Sequence, residues 1–280
     1  MKFFKKFLKA VLPNAVIRKL RAVTVQGSVQ YLVVIVGNAC SLKCKNCANF
    51  CPQAKKENKR YDVNQIIQDL SNVIGCTTKI KLLQIQGGEP FLYTDLSKLL
   101  DFCSSQKKIK KITIATNGTI MPSDSLLEKI KNKGIQIRIS NYPVSQKKGH
   151  ELYEKCVKMG IDCYIYNFAY GKDEWADCGG IETPREVDDE IVSLRFSECA
   201  FKDCLTLENG ELNRCSRLYI AHTLQNFERR DDDHINVRNT DGLKERLKKF
   251  LRNPSFAEGC RYCYGNSESN SRRILPGEQE

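Results

Sequence analysis

Short apolar, β-branched runs and stretches of helical periodicity take turns along most of the chain. The runs cover 31–36, 81–86, 111–116, 135–140 and 163–166, each of strand length. Between the first two, Val63, Ile66, Ile67, Leu70, Val73 and Ile74 recur at helical spacing, as do Leu96, Leu99, Leu100 and Cys103 in the next interval. Ser125 with Glu128 forms a capping box for a third helix that Gly134 should stop, and Leu152, Tyr153, Cys156 and Met159 mark the inward face of a fourth over 146–159. Strand then helix, repeated, predicts the α/β class: parallel strands covered by helices. Right-handed crossovers then wind a curved sheet, either a full or partial barrel or an open doubly wound fold. In both, ligands gather at the carboxyl ends of the strands.

Four segments fall at that rim. A cysteine cluster follows the first strand, Gly87-Gly-Glu-Pro the second, Thr116-Asn-Gly the third and Ser140-Asn-Tyr the fourth. Past residue 180 the rhythm weakens. A cysteine-rich segment from Cys199 to Cys263 contains a hairpin turn at Glu208-Asn-Gly-Glu and an amphipathic helix near 241–252. The expected division is an N-terminal basic amphipathic helix over 1–29, a core over 30–195, a small cysteine-rich domain over 196–265 and a polar, frayed tail over 266–280.

Composition narrows the setting. With 280 residues, 41% hydrophobic and 28% charged, the chain can bury a sizeable core and does not read as disordered. No apolar run is long enough to span a bilayer, and lysines interrupt the apolar positions at the start, so a cytoplasmic protein is expected. Phe3, Phe4, Phe7, Leu8, Val11 and Leu12 oppose Lys2, Lys5, Lys6 and Lys9, a face that suits either peripheral contact with an anionic membrane or cover for the open edge of a barrel. A net charge of +12 favours anionic partners, but the lysines are spread out and no nucleic-acid-binding signature is present. In a reducing compartment the fourteen cysteines point to metal or chemistry more than to disulfides.

Cys40, Cys44 and Cys47 are separated by three residues and then two. Short unequal spacers can bring three thiolates to three corners of a four-iron cube and leave one iron without a protein ligand, the mark of a catalytic site. Structural zinc competes with this reading, with Cys51 near enough to supply a fourth thiol.

The triplet after the first strand, together with Gly87-Gly88-Glu89-Pro90 after the second, resembles the radical S-adenosylmethionine (SAM) superfamily over residues 30–190. That resemblance implies a partial (β/α)6 TIM-like barrel. It also implies a catalytic 4Fe-4S cluster on Cys40, Cys44 and Cys47, with SAM chelated at the open iron and its amino group met by Gly87, Gly88, Glu89 and Pro90. Asn117 and Ser140 correspond to positions that contact the SAM ribose or carboxylate. The implied reaction is reductive SAM cleavage, with the 5′-deoxyadenosyl radical taking hydrogen from a substrate.

Cys204, Cys215, Cys260 and Cys263 form a second group, two thiols flanking the hairpin and two in a C-x-x-C pair. Spacing alone favours zinc. Beside a radical SAM core, the segment resembles the auxiliary-cluster domain called twitch, a shortened SPASM domain. The resemblance implies a second 4Fe-4S cluster, with Cys199 competing with Cys204 for the first ligand position. Cys76, Cys103, Cys156 and Cys163 read as core residues, and Cys178 as part of a loop with Trp175 and Asp177. Together these implications favour a two-electron oxidation of a small or sugar-like molecule, with a flavodoxin- or ferredoxin-type electron donor and Asp173, Asp177 or His222 as candidate bases. A peptide-modifying radical enzyme and a zinc-binding interaction module are the alternatives.

Overall fold

In the computed structural model the described residues are 27–167, 174–182, 184–225, 227–252 and 254–280. The N-terminal amphipathic segment, apart from residues 27–29, and Asp173 therefore lie outside them.

Five βα-type strands form on the apolar runs: β1 (Ser28–Ile35), β2 (Lys79–Gln86), β3 (Ile112–Thr116), β4 (Gln136–Ser140) and β5 (Cys163–Tyr166). They lie side by side in chain order, all parallel. Four helices alternate with them, α1 (Val63–Cys76), α2 (Leu96–Ser105), α3 (Asp124–Asn132) and α4 (Gln146–Met159). Asp62 caps α1 by accepting from the Gln65 N–H at 2.9 Å, and Val63, Ile66, Leu70, Val73 and Ile74 are its buried face. The cap of α3 is Ser123, which accepts from Leu126 N, two residues ahead of the expected Ser125. Leu83, Leu99, Leu100 and Ile114 are fully buried between sheet and helices. Each contributes roughly 1.5–3 kcal/mol by leaving water.

The sixth parallel strand is not the next in the row. After β6 (Trp175–Ala176) and α5 (Asp189–Glu198), β7 (Cys204–Glu208) returns to the far side and pairs with β1, Tyr31 opposite Cys204 and Val34 opposite Leu207. The antiparallel strands β8 (Glu211–Asn213) and β9 (His234–Asn236) extend the sheet beyond it. The order is β5-β4-β3-β2-β1-β7-β8-β9. This corrects the expected six-unit βα row: five units are followed by a strand added at the β1 edge. It also corrects the separate C-terminal domain, because Leu205, Leu207, Leu212, Ile235, Val237, Leu247 and Phe250 share one apolar core with β1–β5. The hairpin turn forms as expected, with Asn209 (φ 44°) and Gly210 (φ 83°) both left-handed. Helices α6 (Leu218–Gln225) and α7 (Leu243–Arg252) complete the segment. No described helix is long and apolar enough to cross a membrane.

The tail is the third correction. Arg273–Ile274 (β10) pairs antiparallel with β6, and the residues after it bind the cysteine loop. Lys45 N donates to Glu278 O (2.9 Å), Glu280 N to Lys43 O (2.9 Å) and Lys43 N to Gln279 Oε1 (2.8 Å), while Lys45 pairs with the Glu278 carboxylate at 2.6 Å. Backbone pairing, not side-chain pattern, turns a polar tail into a strap.

Candidate active site: two cysteine sets

The cysteine loop leaves the carboxyl end of β1 and is fixed through its backbone. Asn38 N and Ala39 N donate to the carbonyls of Asn58 and Lys59, and Gly88 N and Glu89 N donate to Gly37 O and Ala39 O. The glycines are required by this approach: a Cβ on Gly87 would overlap the Gly37 carbonyl oxygen, and one on Gly88 the Ala39 carbonyl and Cys40. Gly87 and Gly88 therefore lie directly against the loop that carries Cys40.

Glu89 is placed otherwise than the resemblance implies. Its buried carboxylate accepts from Phe91 N (3.1 Å), Thr116 Oγ1 (2.8 Å) and Asn117 N (2.8 Å), so it braces the β2 rim to the β3 rim. Burial pushes its pKa up to about 7 against the pull of those donors. Pro90 opens the short 3-10 turn behind it. Asn117, held by Glu89, extends Nδ2 to Ser41 Oγ (3.1 Å) and Cys40 Sγ (3.5 Å). Ser140 is buried at the end of β4, and two residues on Tyr142 meets Trp175 edge-on, ring centroids 5.2 Å apart.

Each thiol of the triplet has a donor at hand. Cys40 Sγ also accepts from Leu42 N (3.4 Å), Cys44 Sγ accepts from Gln279 Nε2 (3.4 Å), and the Cys51 thiol bonds to Cys47, favouring the Cys47 thiolate. Donors aimed at sulfur are the surroundings that thiolate ligands of an iron–sulfur cluster use. Burial meanwhile raises the free thiols, Cys40 to about 11. Coordination to a cation deprotonates such thiols outright.

The second set is gathered in a cavity between α5, the start of α6 and the 3-10 turn Glu258–Tyr262. Cys199, Cys215, Cys260 and Cys263 line it, and so does Cys178, whose thiol bonds to Cys263. Cys204 does not. As the first residue of β7 it belongs to the apolar core, and the cavity position expected of it is taken by Cys199. Arg195, Lys202, Arg214 and Arg217 also line the cavity, and no carboxylate does. Arg217 is buried, donates to Gly179 O at 2.7 Å and lies 4.5 Å over the Phe50 ring, within electrostatic reach of Cys47 on one side and Cys178, Cys215 and Cys263 on the other. It stands between the two sets. Cys178 went unrecognised in the sequence because its neighbours, Trp175, Asp177 and two glycines, read as an ordinary loop.

Among the described residues no three His, Cys, Asp or Glu side chains close on one point as a single metal ion needs. The all-sulfur donor sets, with their N–H donors and buried cations, fit iron–sulfur clusters. Of the candidate bases among the described residues, neither Asp177 nor His222 lines the second cavity. Asp177 accepts from Gly179 N (2.7 Å) in a local turn, and His222 bonds to Phe227 O (3.1 Å) and faces a separate polar pocket with Lys55, Asn58 and Asn209.

Comparison with known proteins bears on the same elements. Residues 34–167, from within β1 past the end of β5, match the family model described as the Radical SAM superfamily. This part of the chain is a radical SAM domain. A 4Fe-4S cluster and SAM are the cofactors of that family and of this domain. Among curated proteins, the GTP 3′,8-cyclase of Alkaliphilus oremlandii is 23% identical over 183 residues, 59% of this chain and 56% of that protein. The GTP 3′,8-cyclase of Aquifex aeolicus is 25% identical over 134 residues, 46% of this chain and 40% of that one. The chain thus spans about half the length, or less, of these curated relatives. Among solved structures, BtrN in complex with AdoMet and 2-DOIA covers 90% of this chain, and 97% of that one is covered, at 14% identity and a TM-score of 0.53. That likeness concerns the fold alone.

Proposed function

We propose that this radical SAM domain works with a second 4Fe-4S cluster to oxidise a small substrate by two electrons. The observation that carries this reading is the convergence of Cys199, Cys215, Cys260 and Cys263 in one cavity lined by cations and free of carboxylates. In this reading Cys40, Cys44 and Cys47 hold the catalytic cluster, whose chemistry is reductive SAM cleavage and hydrogen abstraction by the radical released. A second cluster, which Cys199, Cys215, Cys260 and Cys263 would hold, would supply an acceptor for the substrate's remaining electron.

The residues of the chain then have separate tasks. Backbone carbonyls of the Gly87–Gly88 stretch, pressed against the Cys40 loop, are assigned to the SAM ammonium, and Glu89 supports them from behind. Asn117 and Ser140 are assigned to the ribose or carboxylate of SAM. The strap over Cys44 and the edge-on pair of Tyr142 and Trp175 keep bulk water from the radical. A flavodoxin- or ferredoxin-type donor is the proposed source of the first electron.

The test is anaerobic purification followed by iron, sulfide and zinc analysis. About eight irons per chain is the expected result; about four would remove the second cluster, and zinc without iron would sink the reading. The curated relatives favour a second reading, a radical cyclisation of a nucleotide. GTP consumed by the reduced protein with SAM, giving a product of unchanged mass, would select cyclisation, whereas an oxidation lowers the product mass by two hydrogens.

A further inference from the structure

The concave face of the sheet holds a cation that neither cysteine set employs. Along β4, Ile137 and Ile139 pack into the core shared with the helices, and Ile139 lies against Gly149 of α4. Alternation therefore turns Gln136, Arg138 and Ser140 to the opposite, concave face. Arg138 is opposite Ala115 of β3 and Tyr164 of β5, and Ser140 is opposite Tyr166. The Arg138 guanidinium sits 4.5 Å from the Tyr166 ring centroid. Its Nε is buried with no hydrogen-bond partner. None of the ion pairs among the described residues includes it.

A guanidinium keeps its charge at any ordinary pH. Placed partly out of water, it is costly unless an anion or a full set of acceptors meets it. Tyr166 offsets part of this, about 0.5–2 kcal/mol for a cation over an aromatic face. The planar fork is matched by a carboxylate or phosphate, which takes two N–H donors at once. Position points the same way, since Tyr142 lies within electrostatic reach of Arg138 and also of Cys44 and Cys47. An anionic group held by Arg138 would be one tyrosine away from the cluster thiols, on the open concave side.

We propose that Arg138 anchors the substrate by a carboxylate or phosphate group, with Tyr166 fixing the plane of the guanidinium, so that the substrate class is an anionic small molecule. The proposal rests on the radical SAM reading, because it takes the concave face to be the substrate side. One other source of the same chemistry exists, the carboxylate of SAM itself.

The experiment uses the full-length, iron-loaded protein in equilibrium dialysis with two probes, inorganic pyrophosphate and malonate, with and without saturating SAM. At least one probe should bind wild type. Arg138→Gln should weaken that binding at least about tenfold, and Arg138→Lys, which keeps the charge but loses the fork, should fall between. SAM should not displace the probe. Equal binding by wild type and Arg138→Gln, or no binding of either probe to wild type, overturns the proposal. Displacement by SAM also overturns it, by giving the anion site to the SAM carboxylate. Iron content measured on the same samples separates the two failures: wild type without iron breaks the underlying reading, whereas iron-replete samples with unchanged probe binding break the proposal alone.

Discussion

In the proposed reading the two cysteine sets answer the same need by different means. Around Cys40, Cys44 and Cys47 the neighbours are dipoles: the Leu42 amide, the side-chain amides of Asn117 and Gln279, and the Cys51 thiol. Around Cys199, Cys215, Cys260 and Cys263 such dipoles also occur, the Gly265 amide and the Cys178 thiol at Cys263, but three arginines and a lysine are added to them. An oxidised four-iron cluster has a formal charge of roughly −1 with three thiolates and −2 with four. Dipoles would suit the smaller charge at a site that must admit a ligand, and guanidinium groups the larger one of a second cluster. The contrast extends to carboxylates. Near the first set, Glu89 and Glu208 are buried without cations, Glu208 accepting from Asn38 (2.8 Å) and Tyr61 (3.0 Å), and burial raises each to about 7.

The division breaks most sharply by removing either set. Replacing Cys40, Cys44 and Cys47 with Ala should take 5′-deoxyadenosine formation to background and lower iron from about eight to about four per chain. Replacing Cys260 and Cys263 should remove the other four and leave reductive SAM cleavage measurable by chromatography. Cleavage lost equally in both variants would mean that the sets do not act separately.

A finer cut falls within the cavity. Cys199→Ala should cost about four irons. Cys204→Ala should keep them and lower the free energy of unfolding by about 1 kcal/mol, the cost of one small buried group. The reverse result would return the first ligand position to Cys204.

For the buried carboxylates the sign follows from linkage. The folded value of Glu208, about 7, lies above its ordinary 4.5. Its contribution is complete below pH 4.5 and is lost as pH rises through about 7, amounting to about 3 kcal/mol. Glu208→Gln, which stays neutral, should unfold at higher denaturant than wild type at pH 8 and lose that advantage near pH 5.

Arg217 links the sets, so its removal should register on both. Arg217→Met deletes a positive charge beside the thiolates, which favours the oxidised clusters and lowers their midpoint potentials. A unit charge several ångströms away is worth on the order of 2 kcal/mol, or tens of millivolts. An EPR-monitored redox titration reads this, and an unchanged potential would remove Arg217 from the electrostatics of the clusters. The smallest change expected is for Gln279→Ala, where one N–H···S bond to Cys44 goes and the first cluster alone should become slightly harder to reduce in the same titration.

Much of this was legible in the sequence. The five strands and four helices were, because periodicity records which face of each element is buried. Asn209-Gly210 was, because two successive left-handed residues leave few other choices. Gly87-Gly88 was, because close backbone approach excludes any side chain. The bracing by Glu89 was not legible, since its bonds to Phe91, Thr116 and Asn117 involve backbone and hydroxyl groups that leave no pattern. The choice between Cys199 and Cys204 depends on which way a strand residue faces, and the pairing of β7 with β1 was itself unreadable from local sequence. The strap was hidden for a related reason: its bonds to residues 43–45 mix main-chain and polar side-chain groups and join segments more than 230 positions apart.

That separation has a consequence for how the protein is made. At synthesis rates of about 5–20 residues per second, the loop bearing Cys40, Cys44 and Cys47 exists for roughly 10–50 seconds before the residues that will cover Cys44 have been added. During translation its thiols are therefore reachable by whatever delivers iron and sulfide, and residues added more than 230 positions later close over a loop that can already be loaded.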